Sequence, residues 1–271
     1  MAFETELKLA IAAQDVPALL AHPLLAAEPS KRQRLVNTYF DTPKRTLLAR
    51  RIAVRERRVG RQTLLTVKTA GTVIGGLARR GEWEAPTTPG HFDFAALVDD
   101  TALADALQAL AGTLVPVFTT DFTRRSWQLS YRKAQIEVAL DRGRIHATTR
   151  DGSRSQPLLE LELELKQGPA DALFSLARQL GHSAHLRPVT ASKAERGYTL
   201  FQGRRAKPVK AETLALPSAV GPVEAFRCVA LACLSQLQAN EAGVLHSDDI
   251  EYLHQARVAL RRLRAALRVF A

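Results

Sequence analysis

Two stretches of this 271-residue chain alternate charge and hydrocarbon at every second residue, and that alternation restricts the fold more than any other feature. In the first, Glu4, Glu6 and Lys8 are interleaved with Phe3, Leu7 and Leu9; in the second, Glu160, Glu162, Glu164 and Lys166 are interleaved with Leu159, Leu161, Leu163 and Leu165. A strand turns successive side chains to opposite faces, so each stretch has one charged face and one apolar face. If the two strands face each other, five carboxylates gather in one place. Repulsion forbids that unless cations lie between them.

Other segments carry the same signature. Leu35 to Pro43 reads as a strand closed by a turn, and Arg51 to Arg57 with Thr63 to Thr69 as a hairpin across Arg58-Val-Gly60-Arg61. Arg55 and Arg57 share a face there, as do Thr66 and Lys68. Arg80, Glu82 and Glu84 alternate in a further strand. Val115 to Leu129 carries Arg125, Ala134 to Leu140 carries Glu137 and precedes Asp141, and Arg144 to Arg150 reads as a separate short strand. Three helices are expected: one from Asp15-Val-Pro17 through Leu24, one from Asp99 to Ala111, and one from Ala170 to Leu180. The total is about eight strands with few helices.

Charges at period two fit two arrangements. One is an open sheet with a solvated face. The other is a sheet closed into a barrel or tunnel, polar inside and covered by helices outside. Mixed charges on strand after strand are explained equally well by the second, whose interior would be a site. The net charge of +11 and pI near 10.2 favour polyanionic partners without choosing among nucleic acid, anionic membrane and phosphate-rich small molecules.

In order along the chain, Glu4-x-Glu6-x-Lys8, Tyr39-Phe-Asp-Thr-Pro43, Arg55-x-Arg57, Thr66-Val-Lys68, Glu82-x-Glu84, the Glu-x-Glu-x-Glu strand and Ser192-Lys193-x-x-Arg196 resemble the CYTH, or triphosphate tunnel metalloenzyme, superfamily. The resemblance covers residues 1–203. It implies an α+β domain with an eight-stranded antiparallel β tunnel, flanked by helices, that binds triphosphate through basic side chains and divalent metal through glutamates. Inorganic, thiamine and RNA triphosphatases and class IV adenylyl cyclases belong to that superfamily.

Tripolyphosphate presents only hard oxygen ligands, so carboxylates hold it through Mg2+ or Mn2+ rather than directly. On this resemblance Glu4, Glu6, Glu160, Glu162 and Glu164 form the metal set. Lys8, Arg55, Arg57, Lys68, Arg80, Arg125, Lys193 and Arg196 hold phosphate oxygens. Glu4, Glu6, Lys8 and Lys68 make the catalytic centre, while Glu82, Glu84, Glu137 and Asp141 orient basic groups. The implied reaction is in-line attack of water on a terminal phosphorus, giving pyrophosphate and phosphate. A polyphosphate-binding module without turnover, a thiamine triphosphatase and an adenylyl cyclase are the alternatives. Gly75-Gly76 lacks the Lys-Ser/Thr of a phosphate-binding loop, and the seven histidines are scattered.

Residues 204–217 read as a basic linker and 218–271 as a helical segment. Phe226, Val229, Ala230, Cys233, Leu234 and Leu237 are expected on one helix face, and Asp248 with Glu251 as a capping box for the next helix. There Leu253, Ala256, Leu260, Leu263, Leu267 and Phe270 form an apolar stripe beside a basic one of His254, Arg257, Arg261, Arg264 and Arg268; Arg262 lies off it and reads as solvated. This resembles the opening of a CHAD domain, which implies binding of long-chain polyphosphate. The stripe runs to the last residue, as expected of a fragment of a longer helical domain. Cys228 and Cys233, five apart, read as core residues rather than a disulfide. Nucleic acid is not expected as a partner, because paired acidic strands repel a phosphate backbone. The early first strand leaves no room for a signal peptide, and no run of about 18 apolar residues occurs; a cytoplasmic protein without a membrane partner is the expectation, its oligomeric state open.

Overall fold

The computed structural model describes residues 3–149, 151–203, 206–216 and 219–270. Its strands are β1 (Phe3–Ile11), β2 (Ser30–Asp41), β3 (Ala53–Val59), β4 (Gln62–Lys68), β5 (Thr72–Ile74), β6 (Leu77–Thr87), β7 (Val115–Tyr131), β8 (Ala134–Thr149), β9 (Gly152–Gln167) and β10 (Leu186–Pro188). Its helices are α1 (Val16–Leu20), α2 (Pro23–Ala26), α3 (Thr46–Ala49), α4 (Phe94–Leu97), α5 (Thr101–Gln108), α6 (Asp171–Leu180), α7 (Lys193–Gln202), α8 (Pro222–His246) and α9 (Ile250–Val269). The chain divides into two compact units, residues 1–204 and 205–271.

In the first unit the strands pair in the order β1-β9-β8-β7-β2-β3-β4-β6, and β6 returns to pair with β1. Every pairing is antiparallel, so eight strands close a ring and no long edge is left open. The short β5 and β10 extend it at β6 and β1. The tunnel, rather than the open sheet, is the arrangement formed. The β3–β4 hairpin turns in two residues, Gly60 and Arg61, and Gly60 takes the left-handed φ of 61° that such a loop demands.

Period two then sorts side chains between lumen and exterior. Leu7 and Leu9 of β1, Leu161 and Leu163 of β9 and Ile136 and Val138 of β8 pack outward against α1 and α6 through Leu19, Leu173, Leu176 and Leu180. A second outer core, on β3, β4 and β6, buries Val54, Val67 and Trp83 under Phe94 and Leu107 of α4 and α5. A third is inside the ring: Leu35, Tyr39, Phe118, Phe122, Ile145 and Leu158 meet Tyr198 of α7. Helix α7 thus plugs one end of the lumen. A Cβ on its Gly197 would lie 2.0 Å from the Phe118 ring, so only glycine permits that approach.

Several expectations are corrected. Ala134–Leu140 and Arg144–Arg150 are parts of one strand, β8, with Arg150 outside the described residues. The early helix breaks at His22-Pro23 into α1 and α2, and the helix expected over Asp99–Ala111 is α5, capped by Asp100 and preceded by α4. Helix α7 was not expected, although Ser192 and Glu195 form its capping box.

In the second unit, residues 206–216 are without regular structure, and the Asn240 side chain holds the Val209 backbone N–H and C=O, each at 2.9 Å. Helices α8 and α9 pack through small and polar residues: Cys233, Gln236 and Asn240 face Tyr252, Gln255, Ala256 and Ala259. The Leu stripe is therefore not the buried face; Leu253, Leu260 and Leu267 are about half exposed. Small residues win because they let the helices approach closely, as where Tyr252 lies against Gly243. The cap of α9 is Asp249, not Asp248. Arg262 is half-buried and donates to Gln236 at 2.9 Å. Cys233 is buried and Cys228 only partly so.

Candidate active site

The charged part of the lumen encloses a cavity of about 570 Å³. Strand register builds one of its walls in rows. Glu6, Glu164 and Glu137 stand directly beside one another on β1, β9 and β8; Lys8, Glu162 and Ala139 form the next row; Ala10, Glu160 and Asp141 the third, continued by Arg124 on β7. Three carboxylates in one row destabilise a sheet unless cations neutralise them. Lys8 reaches Glu6 at 2.7 Å, and Lys166 reaches Glu164 from a partly exposed position. Burial pushes the Glu164 carboxyl above its ordinary range; Lys166 opposes that, while Glu4 and Glu137 reinforce it.

The third row is already compensated. Asp141, Glu160 and Glu162 bring oxygens within 4.8 Å of one another. The Lys193 ammonium, at the start of α7, lies among them, 2.8 Å from Asp141, 2.9 Å from Glu162 and in contact with Glu160. Arg124 grips Asp141 with two bonds of 2.7 Å and also contacts Glu162. Burial works against ionisation of Glu162, but Lys193, Arg124 and Lys8 outweigh it and hold the carboxyl far below its ordinary range. Burial wins at Glu160, which is raised despite Lys193.

The facing wall, on β3, β4 and β6, is basic with acidic partners. Lys68 is 2.8 Å from Glu4 and 3.0 Å from Glu82, and Arg80 bridges Glu4 and Glu6. Glu84 accepts from Thr66 at 2.6 Å and has Arg55 and Arg57 at 3.7 Å. Burial and the adjacent Arg55 push the Arg57 guanidinium down to about 10. The buried Nη2 of Arg55 has no hydrogen-bond partner among the described residues; its nearest carboxylates stand at 3.6 and 3.7 Å.

The cavity gathers most of the residues singled out in the sequence: Glu4, Glu6, Lys8, Arg55, Arg57, Lys68, Arg80, Glu162, Glu164 and Lys193 line it. Three do not join them. Arg125 points outward, with its guanidinium 5.0 Å above the Trp127 ring, and the lumen side of β7 belongs to Arg124. Glu160 is on the lumen face but covered by α7, held by Lys193 and Arg196. Arg196 spends its donors on Glu160 and the Pro157 carbonyl, at 3.1 and 2.8 Å. Arg124, Lys31, Ser126 and Gln128 also line the cavity without having been singled out.

A hard divalent ion needs carboxylate oxygens not already shared with an ammonium. The compensated third row does not meet that requirement. In the Glu6–Glu164–Glu137 row, Glu6 and Glu164 meet their cations through Oε1 alone and Glu137 stands 4.0 Å from Arg124, so these three form the donor set that fits such an ion, whereas Glu4 is held by Lys68 and Arg80 and Glu162 by Lys193 and Arg124.

A closed antiparallel ring whose lumen sets a carboxylate wall against a guanidinium and ammonium wall defines a class, the mixed-charge β tunnels. The chain belongs to the CYTH domain family, whose profile matches residues 2–198, and residues 228–271 match the CHAD domain. It is 35% identical over 204 residues to an inorganic triphosphatase of Haemophilus influenzae, an alignment covering 73% of this chain and 54% of that protein. The chain thus spans about half the length of that relative. A Hippeastrum protein, described as an adenylyl cyclase candidate with a dominant triphosphatase activity, has the same fold, with a TM-score of 0.54 at 17% identity over 74% of this chain and 97% of that one.

Proposed function

We propose that the protein hydrolyses inorganic tripolyphosphate to pyrophosphate and phosphate within the tunnel. The observation that carries the reading is the facing of the Glu6–Glu164–Glu137 row by Arg55, Arg57, Lys68 and Arg80 across one cavity. Such a lumen suits a short linear polyanion bound together with a cation, and the likeness to a triphosphatase supports it. Arg55, whose Nη2 has no hydrogen-bond partner among the described residues, and Arg57 take phosphate oxygens. Lys68 and Arg80 exchange their carboxylates for phosphate oxygens as the substrate enters. Arg124 and Lys193, fixed by Asp141 and Glu162, hold the chain at the plugged end. Glu6, Glu164 and Glu137, joined by Glu4 once Lys68 and Arg80 turn to phosphate, would hold Mg2+ or Mn2+, which when bound supplies charge neutralisation for the phosphoryl oxygens. Water attacks the terminal phosphorus in line, and the guanidinium groups stabilise the charge gathering on the leaving pyrophosphate.

Phosphate release from tripolyphosphate, ATP, thiamine triphosphate and long-chain polyphosphate, each with Mg2+, Mn2+ or chelator, tests this reading. Tripolyphosphate is turned over fastest, and chelator abolishes the reaction. Conversion of ATP to cyclic AMP, or no phosphate release from any substrate, overturns it.

The exposed His254, Arg257, Arg261, Arg264 and Arg268 on α9 support a second role, the binding of long-chain polyphosphate. Among the described residues no helix is long and apolar enough to cross a membrane. The free thiols of Cys228 and Cys233 suit the reducing cytoplasm, where we place the reaction.

A further inference from the structure

The exterior of the ring carries a second charged surface that the lumen chemistry does not use. On β2, β7 and β8 the residues opposite in parity to the cavity lining include Arg32, Arg34, Arg125, Arg142 and Arg144, and Arg58 joins them from β3. Register arranges them in three rows: Arg32 beside Arg125; Arg34, Thr123 and Arg142; Arg58, Val36, Asp121 and Arg144. All are exposed except Arg125, which is half-buried. Arg34 is closed by a two-point contact with Asp121. Among the described residues the other five have no carboxylate within ion-pair distance; Arg125 and Arg144 donate Nε only to the Ser30 and Ser155 hydroxyls, at 2.9 and 2.8 Å. Crowding like charges on neighbouring strands lowers sheet stability, so folding does not account for this face.

The rows run to the rim of the cavity. Lys31 and Gln33, which alternate with Arg32 and Arg34 on β2, line the lumen, as do Ser126 and Gln128 on either side of Trp127. A basic path therefore leads from Arg58 and Arg144, past Arg34 and Arg142, to Arg32 and Arg125, and over the rim by Lys31.

We propose that this outer face binds linear inorganic polyphosphate, carrying the part of a long chain that extends beyond the tunnel. The proposal rests on the triphosphatase reading for the chain end and extends the substrate class to longer polymers. Single-stranded nucleic acid fits less well, because bases need aromatic platforms to stack on. The three rows contain none, and Trp127 beneath Arg125 is 1% exposed. A chain of phosphates alone asks only for guanidinium donors.

The test compares the full chain with its Arg32→Gln/Arg142→Gln/Arg144→Gln variant, three exposed positions outside the lumen. Tripolyphosphate kcat and KM are measured, together with the binding of long-chain polyphosphate and of oligouridylate over a range of salt. Tripolyphosphate parameters stay unchanged, while the polyphosphate Kd rises about tenfold and its logarithmic salt dependence becomes shallower by roughly two to three. Unchanged polyphosphate affinity overturns the proposal. So does oligouridylate binding that is tighter than polyphosphate binding and lost in the variant, which makes the face a nucleic-acid surface. If the unsubstituted chain binds polyphosphate through these arginines yet releases no phosphate from tripolyphosphate, the triphosphatase reading fails and the surface stands.

Discussion

Arg124 and Arg125 are neighbours on β7 but serve opposite sides of the sheet. Alternation tells which residues share a face, not which face is inside. On β1 the leucines between the charges decide it; on β7 the aromatic residues Phe122 and Trp127 fall on opposite parities, so the pattern is silent. That is why Arg125 read as a lumen residue and Arg124 escaped notice. Arg124→Ala leaves Asp141 and Glu162 facing each other with one cation fewer, and tripolyphosphate turnover falls by roughly a hundredfold or more. Arg125→Ala changes it by no more than about twofold, as for a surface site. Steady-state kinetics on both variants check the assignment; equal losses contradict it. Glu84 gives a pH prediction. Burial raises its carboxyl, but Arg57 and Arg55 outweigh that and hold it below the ordinary carboxylate range. A group lowered in the native state contributes its full stability above that range and loses it as pH falls through the native value. Glu84→Gln is therefore less stable at neutral pH, and its stability declines less steeply on acidification. Urea unfolding at neutral and acidic pH reads both effects, and an unchanged slope contradicts the pairing.

At the scale of elements, long amphipathic strands were legible because hydrocarbon and charge repeat over many residues. Short elements and breaks were not. β5 and β10 are three residues each, too short for a period to show. β8 read as two strands because Arg142-Gly143-Arg144 interrupts the apolar run, yet Gly143 sits where a Cβ would lie 2.1 Å from the Asp121 carbonyl, so the glycine keeps two strands together. Helix α7 announced itself only through Ser192-x-x-Glu195, since most of its residues are polar on one side and cover the lumen on the other. Its seating depends on Gly197. Gly197→Ala forces the helix off Phe118 and costs about 1–3 kcal/mol, as overpacking does. Because Lys193 starts the same helix, turnover falls with stability. A second change, Phe118→Leu, restores room and recovers part of both; thermal melting and kinetics on the single and double variants measure it, and a Gly197→Ala protein that is indistinguishable from the parent refutes the plug.

For the whole molecule, ring closure through β1 and β6 joins residues 3–7 to 77–81, a pairing that no local pattern reveals. Once closed, the ring contains every strand pairing that forms the lumen within residues 3–167, and its plug ends at Gln202. Among the described residues the cavity lining runs from Glu4 to Ala194, all within the first unit. A chain ending at residue 204 is therefore expected to keep tripolyphosphate kcat/KM within about twofold, the range of changes remote from a site. The removed helices carry both exposed arginines and exposed hydrocarbon, with Ile250 83% and Leu267 53% accessible. Their loss therefore weakens long-chain polyphosphate binding and also lowers any tendency to self-associate. The outer arginine face remains in the shortened chain, so polyphosphate affinity falls without vanishing. Turnover, light scattering and polyphosphate titration on the two chains separate these effects. If the shortened chain stays folded but no longer turns over tripolyphosphate, the second unit contributes to catalysis and the division of labour drawn from the ring is wrong.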